Sequence, residues 1–454
     1  MSTDQAGRKC APGTAMLTDH YELTMVRAAL RSGVAFRRAV FEVFARQLPS
    51  GRRYGVVAGT GRLLTALERF RFGAADLEFL ERAGIADDPT LEFLQAYRFG
   101  GSIWGYAEGD CYFPGSPILV VEGTFAEAVM LETLALSVLN HDCAIASAAS
   151  RMVAAAGARP LIEMGSRRTH ERAAVAAARA AYIAGFTTTS NLRAGQEYGI
   201  PTSGTSAHAF TLVHDDEQHA FAAQLGALGP DTTLLVDTYD VPAAIRSAVE
   251  LAGAGLGAVR IDSGDLAAVA SEVRGQLALL GAAKTRIILT GDLDEFSIAA
   301  LAAAPVDGYG VGTSLVTGSG APTAALVYKL VARSRAGGTE GAGGAGGADP
   351  LLPVAKRSVG KPSRGGRKWA VRELDATGTA VTELIRVTDT EPASGPRGRA
   401  LLRPLVRDGE IVGREPLADA RARHEVAVAE LPAHARQLSR GYPAIPTVFE
   451  PDID

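Results

Sequence analysis

The sequence predicts an α/β protein: an irregular TIM-like (β/α) barrel with a second α/β domain built from the N- and C-terminal parts of the chain. Three observations predict it. Between Gly257 and Leu315, GAVRIDSGDL, RIILTGDLDE and DGYGVGTSL each set a short β-branched or apolar run before a cluster of Gly, Ser, Thr and Asp. The first two lead into Ala- and Leu-rich helical sequence, so the unit reads as strand, loop, helix. The chain's 454 residues exceed a single barrel of ~250 residues, so a second domain is expected. Finally, β-rich text lies on both sides of the repeats, and two half-sheets with exposed edges would invite aggregation unless they join.

Composition narrows the class. A hydrophobic fraction of 47% with 21% charged residues is that of a soluble globular protein with a large core. A net charge of −4 supplies no basic footprint for nucleic acid, so an anionic ligand has to be held by local arginines. Cys10, Cys111 and Cys143 are far apart with no CxxC spacing, which indicates neither a disulfide framework nor a zinc ribbon. The first residues, MSTDQAGRKCAPGTA, lack an apolar signal core, and no run of about 18 apolar residues is evident. A cytoplasmic protein with no membrane association is the expectation.

In chain order, residues 1–123 read as the N-terminal part of the α/β domain. MLTDHYELTMVRAAL carries a Thr18/Asp19 cap before apolar residues at helical spacing, with Tyr21 at the helix start. FRRAVFEVFARQLP alternates as a strand, with Phe41, Val43 and Ala45 on one face. Gly59-Thr60-Gly61 is a weak phosphate hint and a better helix entry. From 99 to 123 the text is β-rich. Residues 124–333 form the expected barrel, entered through a long Ala/Leu helix containing Glu132 and Asn140. Its strand candidates are ARPLIEM, IAGFTTTS, GIPTSGTS, TTLLVD and the three runs above, one short of the eight of a full barrel. Residues 334–350 are Gly/Ala-rich with too little apolar surface to order themselves, so a flexible insertion is expected. Residues 351–454 return to the α/β domain through KWAVREL, TELIRVTD and a polar helix whose His424 is expected to be solvated.

Loops that follow parallel strands open at one barrel mouth, and phosphate sites commonly sit on the last two. That places Arg260, Asp262, Asp265, Gly291, Asp292, Gly312 and Thr313 together, with glycines letting bare N–H groups approach a phosphate. Turns and caps explain any one such loop easily, and three in succession less well. Arg167 and Arg168 follow LIEM and, with Arg260, suit a carboxylate or phosphate clamp; Glu163 is the carboxylate placed to hold them. Asp237 and Asp262 end strands and face a sugar or developing cation, while Asp240, Asp265 and Asp292 also suit caps. His208, after Gly-Thr-Ser-Ala, is the histidine placed most directly at the mouth. His214 and His219 match no common zinc spacing.

Taken together, LTDHYELTM, FEVFARQLP, EMGSRR, TSN-x-x-AG, SGTSAHAF, LLVDTYD, VRIDSGDL, TGDLDE, YGVGTSLVT and KRSVGKPSRGG resemble, in order and spacing, the nicotinate phosphoribosyltransferase family over nearly the whole chain. The resemblance implies transfer of phosphoribosyl from phosphoribosyl pyrophosphate to nicotinate, giving nicotinate mononucleotide and pyrophosphate. ATP hydrolysis to ADP and phosphate is coupled to it, magnesium is required, and His208 becomes a phosphohistidine. It implies a homodimer in which Tyr21 stacks on the pyridine ring of the neighbouring subunit. Asn191 stands where nicotinamide-using relatives carry Asp, which would repel a carboxylate substrate. Gly291, Asp292, Gly312 and Thr313 then seat the 5-phosphate.

Other barrel enzymes share phosphate loops. A Schiff-base aldolase needs a strand-end lysine and a nucleotide dehydrogenase a reactive loop cysteine, and neither is visible at the mouth. Quinolinate phosphoribosyltransferase has no use for a phosphorylatable histidine. A ligand sensor on the same fold is disfavoured by intact Arg260, Asp262 and His208.

Overall fold

The computed structural model describes residues 13–335, 350–356, 363–393 and 395–450. Most of the expected Gly/Ala insertion, residues 336–349, lies outside them, as do Cys10 and the middle of KRSVGKPSRGG. Contacts divide the chain into two units, Met1–Cys143 with Thr323–Asp454, and Ala144–Pro322.

These limits differ from 124 and 333 for physical reasons. The long helix Glu132–Ala156 runs across the division instead of belonging to either side. The strand Leu326–Arg333 pairs antiparallel with Arg38–Ala45, placing Val327 opposite Phe44, and so joins the first unit. The helical stretch Phe125–Ala156 is long and apolar enough to cross a membrane, but 67% of its most apolar window is buried inside the protein.

In the first unit a seven-stranded antiparallel sheet contains Arg38–Ala45 between Leu326–Arg333 and Leu119–Thr124. Alternation predicts one wet face for this strand, yet Glu42 is buried too, because its carboxylate meets Lys368 Nζ at 2.6 Å. Lys368 opens a strand of a second, four-stranded sheet. That sheet also holds the Arg372–Glu383 ion pair, whose side chains are fully buried. Removing one partner of such a pair costs about 3–5 kcal/mol, since the other charge is stranded. The chain's two ends meet where Leu402–Arg407 pairs with Ser102–Tyr106. His424 is not solvated. It is 5% exposed, with Nδ1 against the Gly109 carbonyl, and burial lowers its imidazole to about 4.

The second unit is built on a parallel sheet of six strands in the order Thr188–Thr189, Leu161–Glu163, Gly308–Val311, Arg286–Leu289, Ala258–Ile261, Thr233–Leu235. This is the cyclic order of a barrel cut open between its second and fourth strand positions, a curled half-barrel. The missing position is GIPTSGTS, which makes only the parallel bridge Thr189↔Thr202 before the helix His208–Leu212. Its Pro, two Gly and four hydroxyl residues suit a loop better than a ladder. Among the described residues the expected barrel therefore does not close. Each strand still delivers its loop to one rim, and helices with Asp N-caps follow at Asp240, Asp265 and Asp294.

Candidate active site

His208 opens its helix, and its side chain is 40% exposed. Nδ1 lies 3.1 Å from the Thr238 hydroxyl and Nε2 3.9 Å from Asp237 Oδ1. Asp237 follows the Thr233–Leu235 strand, and its carboxylate is 3% exposed. Oδ2 accepts from the Asp262 backbone N–H at 2.8 Å and from the Ser263 hydroxyl at 2.7 Å, whereas Oδ1 is buried without a hydrogen-bond partner. Two neighbouring strand ends are thus tied together, with one carboxylate oxygen left facing the imidazole.

Arg260 is 9% exposed, and its donors are already occupied. Nε donates to Thr290 at 2.9 Å, Nη1 to the Thr205 hydroxyl and the Ser206 carbonyl, and Nη2 reaches Asp262 at 3.3 Å. Thr290 also donates to Asp262. Instead of standing free as a clamp, Arg260 braces the loop that leads into His208. Gly291 packs tightly on the neighbouring loop: a Cβ there would sit 2.6 Å from the Asp262 carbonyl oxygen. Asp292 caps no helix; it is exposed with φ 43°, in the left-handed region.

A second group surrounds EMGSRR. Glu163 does not hold the arginines. It is fully buried, accepting from the Gly165 N–H and the Thr189 hydroxyl, and burial raises its carboxyl above the usual range. Arg167 and Arg168 are exposed and form no ion pair among the described residues; Glu171 pairs with His170 instead. Asn191 caps the helix Leu192–Tyr198 through Oδ1 and donates from Nδ2 to Ser166 Oγ at 2.9 Å. Gly312 and Thr313 enter the helix Thr313–Val316, whose single turn supplies open N–H groups but little macrodipole. Gly165 lies close to the Gly312 carbonyl, which brings this loop beside the EMGSRR loop.

His208, Asp237, Asp262, Arg260 and Gly291 are thereby connected, and Arg167, Asn191, Gly312 and Thr313 border a neighbouring group. Tyr21 belongs to the other unit, 45% exposed at the start of the helix His20–Ser32. Thr205, Thr238, Ser263 and Thr290 are not singled out by the sequence; hydroxyls on the loops at the rim are their only signal. No group of three or more His, Cys, Asp or Glu among the described residues is placed to hold a metal ion.

Residues 16–140 match the family model described as the nicotinate phosphoribosyltransferase N-terminal domain. Nicotinate phosphoribosyltransferase pncB1 of Mycobacterium tuberculosis is 58% identical over 440 residues, covering 95% of this chain and 94% of that protein. The Bacillus subtilis nicotinate phosphoribosyltransferase is 39% identical over 69% of this chain and 66% of its own. The crystal structure of human nicotinic acid phosphoribosyltransferase superposes with a TM-score of 0.80 at 24% identity, over 95% of this chain and 97% of that one, a likeness of fold.

Proposed function

We propose, from the premise that this chain belongs to the nicotinate phosphoribosyltransferase family, that it acts in NAD salvage by moving phosphoribosyl from phosphoribosyl pyrophosphate to nicotinate with coupled cleavage of ATP. The observation that carries the finer reading is His208 beside Thr238 and the open oxygen of Asp237. A neutral imidazole is a nucleophile near neutral pH, and Asp237 stabilises the cation that forms when its second nitrogen keeps a proton after phosphorylation. The nitrogen–phosphorus bond forms as the bond from the γ-phosphorus to the oxygen of ADP breaks.

Glycosyl transfer then passes through an oxocarbenium-like state at the anomeric carbon as pyrophosphate leaves. Asp262, held by Arg260 and Thr290, is the carboxylate that stabilises it. Nicotinate's carboxylate is assigned to Arg167, which keeps its guanidinium unspent, with Asn191 alongside. The N–H groups at Gly291, Asp292, Gly312 and Thr313 seat the 5-phosphate. Magnesium would be met at the rim by the exposed carboxylate of Asp292. When bound it neutralises leaving pyrophosphate. A homodimer, with Tyr21 supplied to the partner's pyridine ring, completes the reading.

The test is pyrophosphate release from phosphoribosyl pyrophosphate with nicotinate, nicotinamide or quinolinate, with and without ATP, beside incubation with γ-labelled ATP. Nicotinate alone should support turnover, ATP should accelerate it, and acid-labile label should appear on wild type but not on His208→Asn. Equal labelling of both proteins would refute the phosphohistidine.

A further inference from the structure

The chemistry above makes no use of Ser166, which stands beside Arg167 in the turn Gly165–Arg168. The Arg168 N–H closes that turn on the Gly165 carbonyl at 2.8 Å. Buried Glu163 accepts the Gly165 N–H with one carboxyl oxygen and the Thr189 hydroxyl with the other. The Thr189 oxygen in turn accepts the Asn191 N–H at 2.9 Å, and Asn191 Nδ2 donates to Ser166 Oγ at 2.9 Å. These bonds form a closed circuit that ties two strand-following loops together through Ser166. The donors and acceptors around it can be counted. Asn191 Oδ1 is spent on the Ala194 N–H at 2.9 Å, which fixes the amide with its N–H₂ group toward Ser166. Ser166 Oγ is therefore the acceptor in that bond, and its own proton meets no acceptor among the described residues. The second hydrogen on Asn191 Nδ2 and the exposed guanidinium of Arg167 are likewise unspent among them.

We propose that Ser166 is a specificity-determining residue for the acid substrate: oriented by the Asn191 amide, its hydroxyl donates to the nicotinate carboxylate beside Arg167. The inference deepens the proposed function and rests on nicotinate as the substrate. A carboxylate is acceptor-only and has two oxygens to satisfy, and the guanidinium, the hydroxyl and the spare amide hydrogen are all donors. A carboxamide brings one acceptor and an N–H₂ group. Set against the same three donors, that N–H₂ group leaves hydrogens facing hydrogens, and the unmet donors weigh against the amide. The cap that Asn191 makes to Ala194 thus has a consequence for selection, because it takes away the acceptor that a carboxamide needs. Glu163 and Thr189 act at one remove, as positioning residues that hold the turn and Asn191 in register.

Transfer from phosphoribosyl pyrophosphate, measured in wild type, Ser166→Ala and Ser166→Thr, tests this through two constants: KM for nicotinate and the inhibition constant of nicotinamide against it. Ser166→Ala should raise KM for nicotinate about ten- to a hundredfold, the cost of a hydroxyl bond to a charged group, while kcat and the nicotinamide constant each move less than about threefold. Ser166→Thr keeps the hydroxyl and should stay within about threefold of wild type in both constants. Each variant should melt close to wild type, since the side chain is only half-buried. A side chain that merely shapes the loop shifts both ligands together, so equal losses for nicotinate and nicotinamide in Ser166→Ala overturn the proposal. An unchanged KM for nicotinate in that variant does the same. Failure of the function itself looks different: wild type that turns over nicotinamide or quinolinate and not nicotinate sinks the nicotinate reading and this inference with it. Wild type that uses nicotinate, with Ser166→Ala using it equally well, sinks this inference alone.

Discussion

Arg260 and Arg167 look interchangeable in sequence, each a guanidinium after a strand, but their surroundings separate them. Arg260 spends its donors on Thr290, Thr205, Ser206 and Asp262, while Arg167 is exposed with no ion pair among the described residues. Arg167→Ala should raise KM for nicotinate roughly ten- to a hundredfold and leave labelling of His208 by ATP unchanged. Arg260→Ala should slow both transfer to nicotinate and labelling by ATP, because the loop into His208 loses its brace; an effect confined to KM for nicotinate would show that the brace is unimportant. Glu22 makes a separate prediction. It is fully buried, Oε1 accepts from the Thr133 N–H and hydroxyl, Oε2 has no partner, and burial raises its carboxyl to about 7. A carboxyl raised on folding destabilises progressively as pH climbs from the unfolded value toward the folded one, and fully above it. Glu22→Gln keeps the acceptor and removes that burden, so its unfolding free energy from urea titration should exceed wild type's at pH 8 by on the order of 1–3 kcal/mol and match it near pH 4.5. Equal midpoints at pH 8 would mean that Glu22 ionises without cost.

At the level of loops and helices, the rim depends on how closely strand ends approach. Gly291 leaves no room for a methyl group against the Asp262 carbonyl, so Gly291→Ala must part the two loops that hold Asp262 and the expected phosphate N–H groups. Transfer should fall about tenfold or more, with a small change in melting temperature, because misplacement at a site is felt more strongly in rate than in stability. Retained activity would remove this loop from the phosphate site. Asn191 has a double task as helix cap and donor to Ser166. Aspartate also caps, so Asn191→Asp should fold and melt like wild type while its kcat/KM for nicotinate drops relative to that for nicotinamide. Unchanged selectivity would leave Asn191 with the capping role alone.

For the whole molecule, the dimer reading puts Tyr21 of one subunit in the site that contains His208 of the other. Tyr21→Ala and His208→Asn should each lose nearly all ATP-stimulated transfer, yet refolding an equal mixture should restore roughly a quarter of the wild-type ATP-stimulated rate, since half the dimers are mixed and each has one intact site. A mixture no better than its components, with native mass showing dimers, would place Tyr21 in its own subunit's site.

The sequence by itself determined the alternation of strand, loop and helix in most of the second unit, the placing of Asp237, Asp262 and Gly291 on strand-following loops, and the family. Those features are local: a β-branched run, a glycine turn and an Asp cap are each written within a few residues. Only the tertiary structure decided what depends on distant neighbours. GIPTSGTS became a bridge in place of a strand, leaving the sheet open. Glu163 turned to Thr189 and Gly165, Arg260 was absorbed by the loop before His208, and His424 was buried beside Gly109. Burial sets whether a polar side chain is a free ligand or an internal brace, and burial follows from the packing of residues tens or hundreds apart in the chain.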